Sequence, residues 1–150
     1  MVRVKKRIIL AEHPTYRKFR SLHIPLTAMK LHLAQAPGQN VFTGYGPGYV
    51  AINHVRHEKH LLVMADQLMA WDISAFEALE AAHFEYLLTF KPEIVIFGTG
   101  ATLRFPRPEF ARLLAAAGIG LEVMDSKAAC RTYNILTAEG RKVLAAILTA

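Results

Sequence analysis

The sequence predicts an α/β fold in which short, turn-punctuated strands give way to helices alternating with buried strands. Three observations carry this. Residues 29–73 set aliphatic side chains in short runs between glycine, proline and asparagine turns, the mark of strands. From Ser74 the apolar residues move to helical spacing. Two apolar runs, "EIVIFGTG" and "GLEVMD", then bracket a short helical stretch, and such a crossover makes its two strands parallel.

Taken in order, "MKLHLA" from Met29 alternates its side chains and ends at the Pro37-Gly38 turn, which makes it a first strand. "VFTGYGPGYVAINHV" packs Gly44, Gly46, Pro47 and Gly48 into five residues, a tight turn or bulge between strands. A glycine loop that cradles phosphate normally opens a helix, whereas strand-like "YVAINHV" follows here. "HLLVMA" and "LMAWDI" are two more strands joined at Asp66-Gln67, so residues 29–73 form an antiparallel meander.

"SAFE" at Ser74 is a capping box with Glu77, opening one amphipathic helix over about 74–90 that carries Phe76, Leu79, His83, Tyr86, Leu87 and Phe90 and ends before Pro92. "EIVIFGTG" is β-branched and continuously apolar, a central strand buried on both faces. Pro106 and Pro108 frame a helix through "EFARLLAAA", with Gly118 at its C-terminal end, and "GLEVMD" is another interior strand. Asp125 or Ser126 caps a helix with Ala129, Tyr133 and Leu136 on one face, stopped by Gly140, and Val143–Leu148 closes the fold as a strand.

A chain of 150 residues, 53% hydrophobic, has the mass for one domain with a real core. No apolar run approaches the roughly 18 residues that cross a bilayer, so no transmembrane segment is expected. One cysteine excludes an internal disulfide and a Cys-based zinc site, which suits a reducing cytoplasm. The formal charge of +6 resides in residues 1–28, which hold seven Lys and Arg against Glu12, while the remaining eleven basic and eleven acidic residues cancel. Specific nucleic-acid binding by the domain therefore loses its electrostatic support. Residues 1–28 are read as a basic, flexible leader, with organelle targeting as an alternative, and residues 29–150 as a single domain.

Read in order, "TGYGPGYV", "HF" followed by "PEIVIFGTG", "RFPRP", "AGIGLEVMDSKAACRTYN" and "AEGRKV" closely resemble the small-domain family that includes the mitochondrial respiratory complex I assembly factor 3 and the adipogenesis-associated domain proteins, together with many bacterial members. The resemblance runs from Met29 to about Leu148. It implies a central mixed β-sheet with flanking helices and an additional antiparallel β-rich lobe, the last apolar run being a strand. It also implies a non-catalytic protein-interaction or assembly-factor domain linked to respiratory complex biogenesis, with a protein partner, no cofactor and no catalytic set to carry over.

The residues suggest a second reading beside it. Ligands of open α/β sheets gather at the carboxyl ends of parallel strands, here Gly98-Thr99-Gly100 and Asp125-Ser126. Arg104 and Arg107 follow the first of these, and Cys130, Arg131 and Thr132 follow the second. Backbone N–H groups and guanidiniums of this kind grip a small anion or an acidic segment of a partner. Against it, Leu103 stands where a dinucleotide fingerprint needs its third glycine, and the arginines are equally read as solvated rim residues. Cys130 lies near a helix N-terminus beside Arg131, a setting that lowers a thiol pKa, yet no histidine lies in the local motif, and a small buried hydrophobe fits as well. His54, His57 and His60 would have to converge to hold zinc, and spacing of three along a strand alternates faces, so no metal site is expected.

Overall fold

A computed structural model describes residues 36–149, so the strand expected over 29–34 and the basic leader lie outside the described residues. The chain first runs through β1 (Phe42–Gly46), β2 (Tyr49–Ile52) and β3 (Val55–His57), which pair antiparallel in that order as a small separate sheet. Pro47-Gly48 makes the first turn, with Gly48 at φ 74°, and a bulge interrupts β1 between Phe42 and Gly44. The strand expected over "YVAINHV" is instead a hairpin. Asn53 and His54 adopt φ of 50° and 68°, the pair of left-handed residues that a two-residue hairpin turn requires and asparagine tolerates. Side chains secure the turn, since the Val41 N–H donates to Asn53 Oδ1 at 3.1 Å and the His54 N–H to Thr43 Oγ1 at 2.9 Å.

β4 (Leu61–Met64) and β5 (Gln67–Ala70) do not continue this meander, because they join the central sheet. That sheet is completed by β6 (Ile94–Gly98), β7 (Gly120–Met124) and β8 (Val143–Ile147) in the order β5-β4-β8-β6-β7. β8 runs antiparallel to β4 and parallel to β6, and β7 is parallel to β6, so the sheet is mixed. Every residue of β6 and β8 is buried, as a strand covered on both faces demands. β7 is an edge strand and is only half covered, which corrects the expectation of an interior position.

The helix expected from Ser74 begins later. A 3₁₀ turn, Phe76–Ala78, comes first, and α1 spans Ala81–Leu88. Its cap is Glu80, whose N–H donates to His83 Nδ1 at 2.9 Å while its carboxylate accepts from the His83 N–H. The cap belongs to Glu80 because the preceding turn lays Phe76 flat against Phe97, centroids 6.1 Å apart, and an extended Leu79 breaks the run. The buried face of α1 is Phe84 and Leu87, with Tyr86 exposed, and His83 is a partly buried capping residue edge-on to Trp71. Pro108 opens α2 (Pro108–Ala116) at its first turn, and Gly118 follows at φ 75°. Asp125 caps α3 (Ser126–Ala138) by accepting the Ala128 N–H at 2.9 Å.

Alternation along the central strands sorts the core into two clusters. Val95, Phe97, Leu144 and Ala146 face α1 and α2, where Phe84 and Phe110 stack at 4.7 Å. Ile94, Ile96, Ala145 and Ile147 face α3 and the small sheet, with Tyr133 edge-on to Phe42 at 5.1 Å. Asn134 fastens that sheet to α3: its Oδ1 accepts the Phe42 N–H at 3.0 Å and its Nδ2 donates to the Phe42 carbonyl at 2.8 Å. The side chain thereby replaces a neighbouring strand at the free edge of β1.

Candidate functional site

The carboxyl ends of β6 and β7 meet the start of α3 and the end of β8 in a hydrogen-bonded knot. Ser126 is its centre. Its Oγ accepts the Gly100 N–H at 2.9 Å and donates to the Leu148 carbonyl at 2.6 Å, and its own N–H donates to the Gly100 carbonyl at 2.9 Å. Thr99 is fully buried, with its N–H on the Met124 carbonyl, its hydroxyl donating to the Thr102 carbonyl at 2.7 Å and the Arg104 N–H donating back to that hydroxyl at 3.1 Å. Gly98 is a packing requirement, since a Cβ there would stand 2.9 Å from Ile147 Cδ1 and Ser126 Oγ and 3.0 Å from Ala129 Cβ. The structure thus brings Gly98, Thr99, Gly100, Asp125 and Ser126 together, as the sequence suggests, but the Thr99 and Gly100 N–H groups serve one another's loops and are not free donors for an anion.

The arginines are drawn to different partners. Arg104 donates from Nη2 to the Thr99 carbonyl at 3.1 Å, pairs from Nη1 with Glu77 at 2.9 Å and lies over the Phe76 ring at 4.3 Å. Arg107 reaches Glu109 at 3.7 Å on the exposed start of α2. Arg131 donates to the Tyr45 hydroxyl at 2.9 Å, across from the small sheet. No ion pair among the described residues involves Arg131 or Lys127. Thr132 is turned back onto the Ala128 carbonyl at 2.9 Å, a bond inside its own helix. A cleft of about 140 Å³ remains between the β1–β2 turn and the start of α3, lined by Tyr45, Pro47, Tyr49, Gly100, Ala101 and Lys127 among others.

Cys130 is 1% exposed, packed among the apolar residues beneath the small sheet. Burial pushes its thiol up to about 12, and the neighbouring Arg131 guanidinium offsets only part of that. Such a thiol is a packing group, the smaller of the two roles the sequence allowed it. Among the described residues no three His, Cys, Asp or Glu cluster as metal ligands.

The feature that sequence reasoning missed is the exposed apolar pair, Leu103 and Phe105, in the loop between β6 and α2. Leu103 is 50% exposed and Phe105 75% exposed, yet the chain between them is tied down, because Arg104 bonds Thr99 and Glu77 and lies over the Phe76 ring. The signal was present in "TLRFPRP", where apolar and basic residues alternate outside any strand or helix that would bury them.

The family model described as a protein of unknown function (DUF498/DUF598) matches residues 42–148. The chain is 30% identical over 109 residues to the 13 kDa major membrane protein of Francisella tularensis, covering 71% of this chain and 89% of that protein. It is 27% identical over 124 residues to the NADH dehydrogenase (ubiquinone) 1 alpha subcomplex assembly factor 3 of Danio rerio, covering 81% of this chain and 71% of that one. Among solved structures, a protein from Bordetella parapertussis superposes with a TM-score of 0.72 at 36% identity, over 77% of this chain and 99% of that one.

Proposed function

Since the chain belongs to the DUF498/DUF598 family, we propose that its domain is a protein-contact module of the assembly-factor kind, with the loop 99–107 as its contact element. The observation that carries this reading is Phe105, 75% exposed on a loop with little freedom. An exposed aromatic anchor on a loop whose backbone is already tied down loses less conformational entropy on docking than one on a free loop, and a few such residues come to dominate an interface. In this reading Thr99 and Arg104 position the loop, Leu103 and Phe105 enter an apolar pocket of the partner, and Arg107 lies at the rim.

Similarity to the assembly factor of Danio rerio supports a partner among respiratory NADH dehydrogenase subunits before their integration. No helix among the described residues is long and apolar enough to cross a membrane, and we place the domain in the cytoplasm, meeting such subunits there. The test is capture by the tagged full chain from native cells, with NADH dehydrogenase subunits quantified. Replacing both Leu103→Asp and Phe105→Asp is expected to lower their recovery by about tenfold or more with the melting temperature unchanged, as loss of an interface anchor does. Equal recovery by wild type and variant overturns the reading.

A second reading places a small anion at the start of α3, at Arg131 and Lys127, and is favoured by the absence of an acidic partner for either among the described residues. Its expected result is a rise in melting temperature with added sulfate, lost in Arg131→Glu. An equal rise in the variant would rule the site out, because general salt effects do not depend on one guanidinium.

A further inference from the structure

On residues that the loop face does not use, we propose that the outer edge of β5 takes an extended, acidic segment of a partner protein as an added strand. The phase of the ladder decides which groups are on offer. The Trp71 N–H donates to the His60 carbonyl at 2.7 Å, and the register pairs Leu61 with Ala70 and Val63 with Leu68. Residues facing one another in an antiparallel pair alternate between bonded and unbonded. Gln67 and Met69 therefore turn their backbone groups toward β4, whereas Leu68 and Ala70 turn theirs outward. No strand among the described residues pairs with them.

Among the described residues the edge also lacks the usual defences. Proteins blunt exposed edges with charge, proline or a covering element, and β1 is closed by Asn134. β5 carries only Gln67, Leu68, Met69 and Ala70. Its outward-facing residues project their side chains to the same side of the sheet as Leu61 and Val63. There Leu61, Leu68 and Ala70 line a groove of about 590 Å³ with Arg56, His57, Glu58 and Lys59.

Charge selects the occupant. Arg56 lies over the Tyr49 ring at 3.9 Å and pairs with Glu58 at 3.0 Å, while Lys59 has no carboxylate within ion-pair distance among the described residues. The wall therefore carries an unmatched cation, Lys59, and an acidic side chain on the added strand matches it. Strand addition draws affinity from main-chain bonds and specificity from alternate side chains. Leu68 and Ala70 supply those bonds, and the groove receives the side chains.

The probe is a synthetic peptide of alternating valine and aspartate, with a lysine-for-aspartate counterpart, titrated into the isotope-labelled full chain. The aspartate peptide is expected to slow amide exchange at Leu68 and Ala70 and to bind about tenfold more tightly than the lysine peptide. Ala70→Pro removes an N–H that β4 does not use, so it is expected to lower binding about tenfold while the melting temperature holds. Lys59→Glu is expected to reverse the preference between the peptides without touching the strand. The Leu103→Asp, Phe105→Asp variant is expected to bind the peptide normally, so failure here and failure of the loop reading are separately visible. No protection at Leu68 and Ala70, equal binding of the two peptides, or a self-association of the free chain that Ala70→Pro abolishes would each overturn the proposal.

Discussion

Raising the pH from 9 toward 12 is expected to cost the folded protein several kcal/mol, with Cys130 as the largest single contributor. The thiol ionises near 9.0 when exposed and near 12 in the fold, and the Tyr133 phenol moves from 10.0 to about 12, both because burial penalises the charged form. Tyr133 also donates its hydroxyl proton to the Asn40 carbonyl at 3.1 Å, a bond that needs the phenol intact. Below pH 9 both groups are protonated in both states and contribute no pH dependence. Above it the unfolded chain releases protons that the folded chain retains, so stability falls as pH rises. At about 1.4 kcal/mol per pH unit, the thiol accounts for a loss of about 4 kcal/mol by pH 12.

Urea unfolding at several pH values, for wild type and Cys130→Ala, isolates this share. The variant loses packing at neutral pH, and its deficit relative to wild type is expected to shrink as pH climbs past 9. A deficit constant from pH 7 to 11 would show that the folded state admits the thiolate. The same burial predicts that the wild-type thiol reacts with iodoacetamide at neutral pH far more slowly than free cysteine.

Ser126→Ala is expected to cost about 2–6 kcal/mol, since it leaves the Gly100 N–H and the Leu148 carbonyl without their buried partner and each such loss costs about 1–3 kcal/mol. The effect reaches beyond stability. Gly100 opens the loop that carries Leu103 and Phe105, so faster amide exchange at Gly100 and weaker partner capture are expected in the same variant. The checking measurement is the urea midpoint with its slope unchanged, together with exchange at Gly100. A loss well under 1 kcal/mol would mean that water replaces the hydroxyl and that the knot does not hold the loop.

What the sequence determined by itself was everything recorded in local pattern. The continuous apolar runs of β6 and β8 demanded strands covered on both faces, Pro108 and Gly118 bounded α2, Asp125 and Gly140 bounded α3, and Pro47-Gly48 turned the first hairpin. The short crossover from β6 through α2 to β7 required a parallel pair. The motifs from "TGYGPGYV" to "AEGRKV" were enough to identify the family. Only the tertiary structure decided which elements became neighbours. The short apolar runs of β4 and β5 report strands without naming their sheet, so the entry of β8 between β4 and β6, more than 70 positions along from β4, was invisible to any window. The helical spacing expected from Ser74 holds only over Ala81–Leu88, and the cap passed to Glu80 because Phe76 found Phe97. Long side chains obey the same rule: Arg104 chose Glu77 and Thr99, and Arg131 chose Tyr45, by distance in space. The clearest case is "TLRFPRP", whose exposed Phe105 looks in one dimension like any other apolar residue. Whether such a residue is buried depends on which surfaces the fold has left to cover it, and that quantity exists only once the chain has closed on itself.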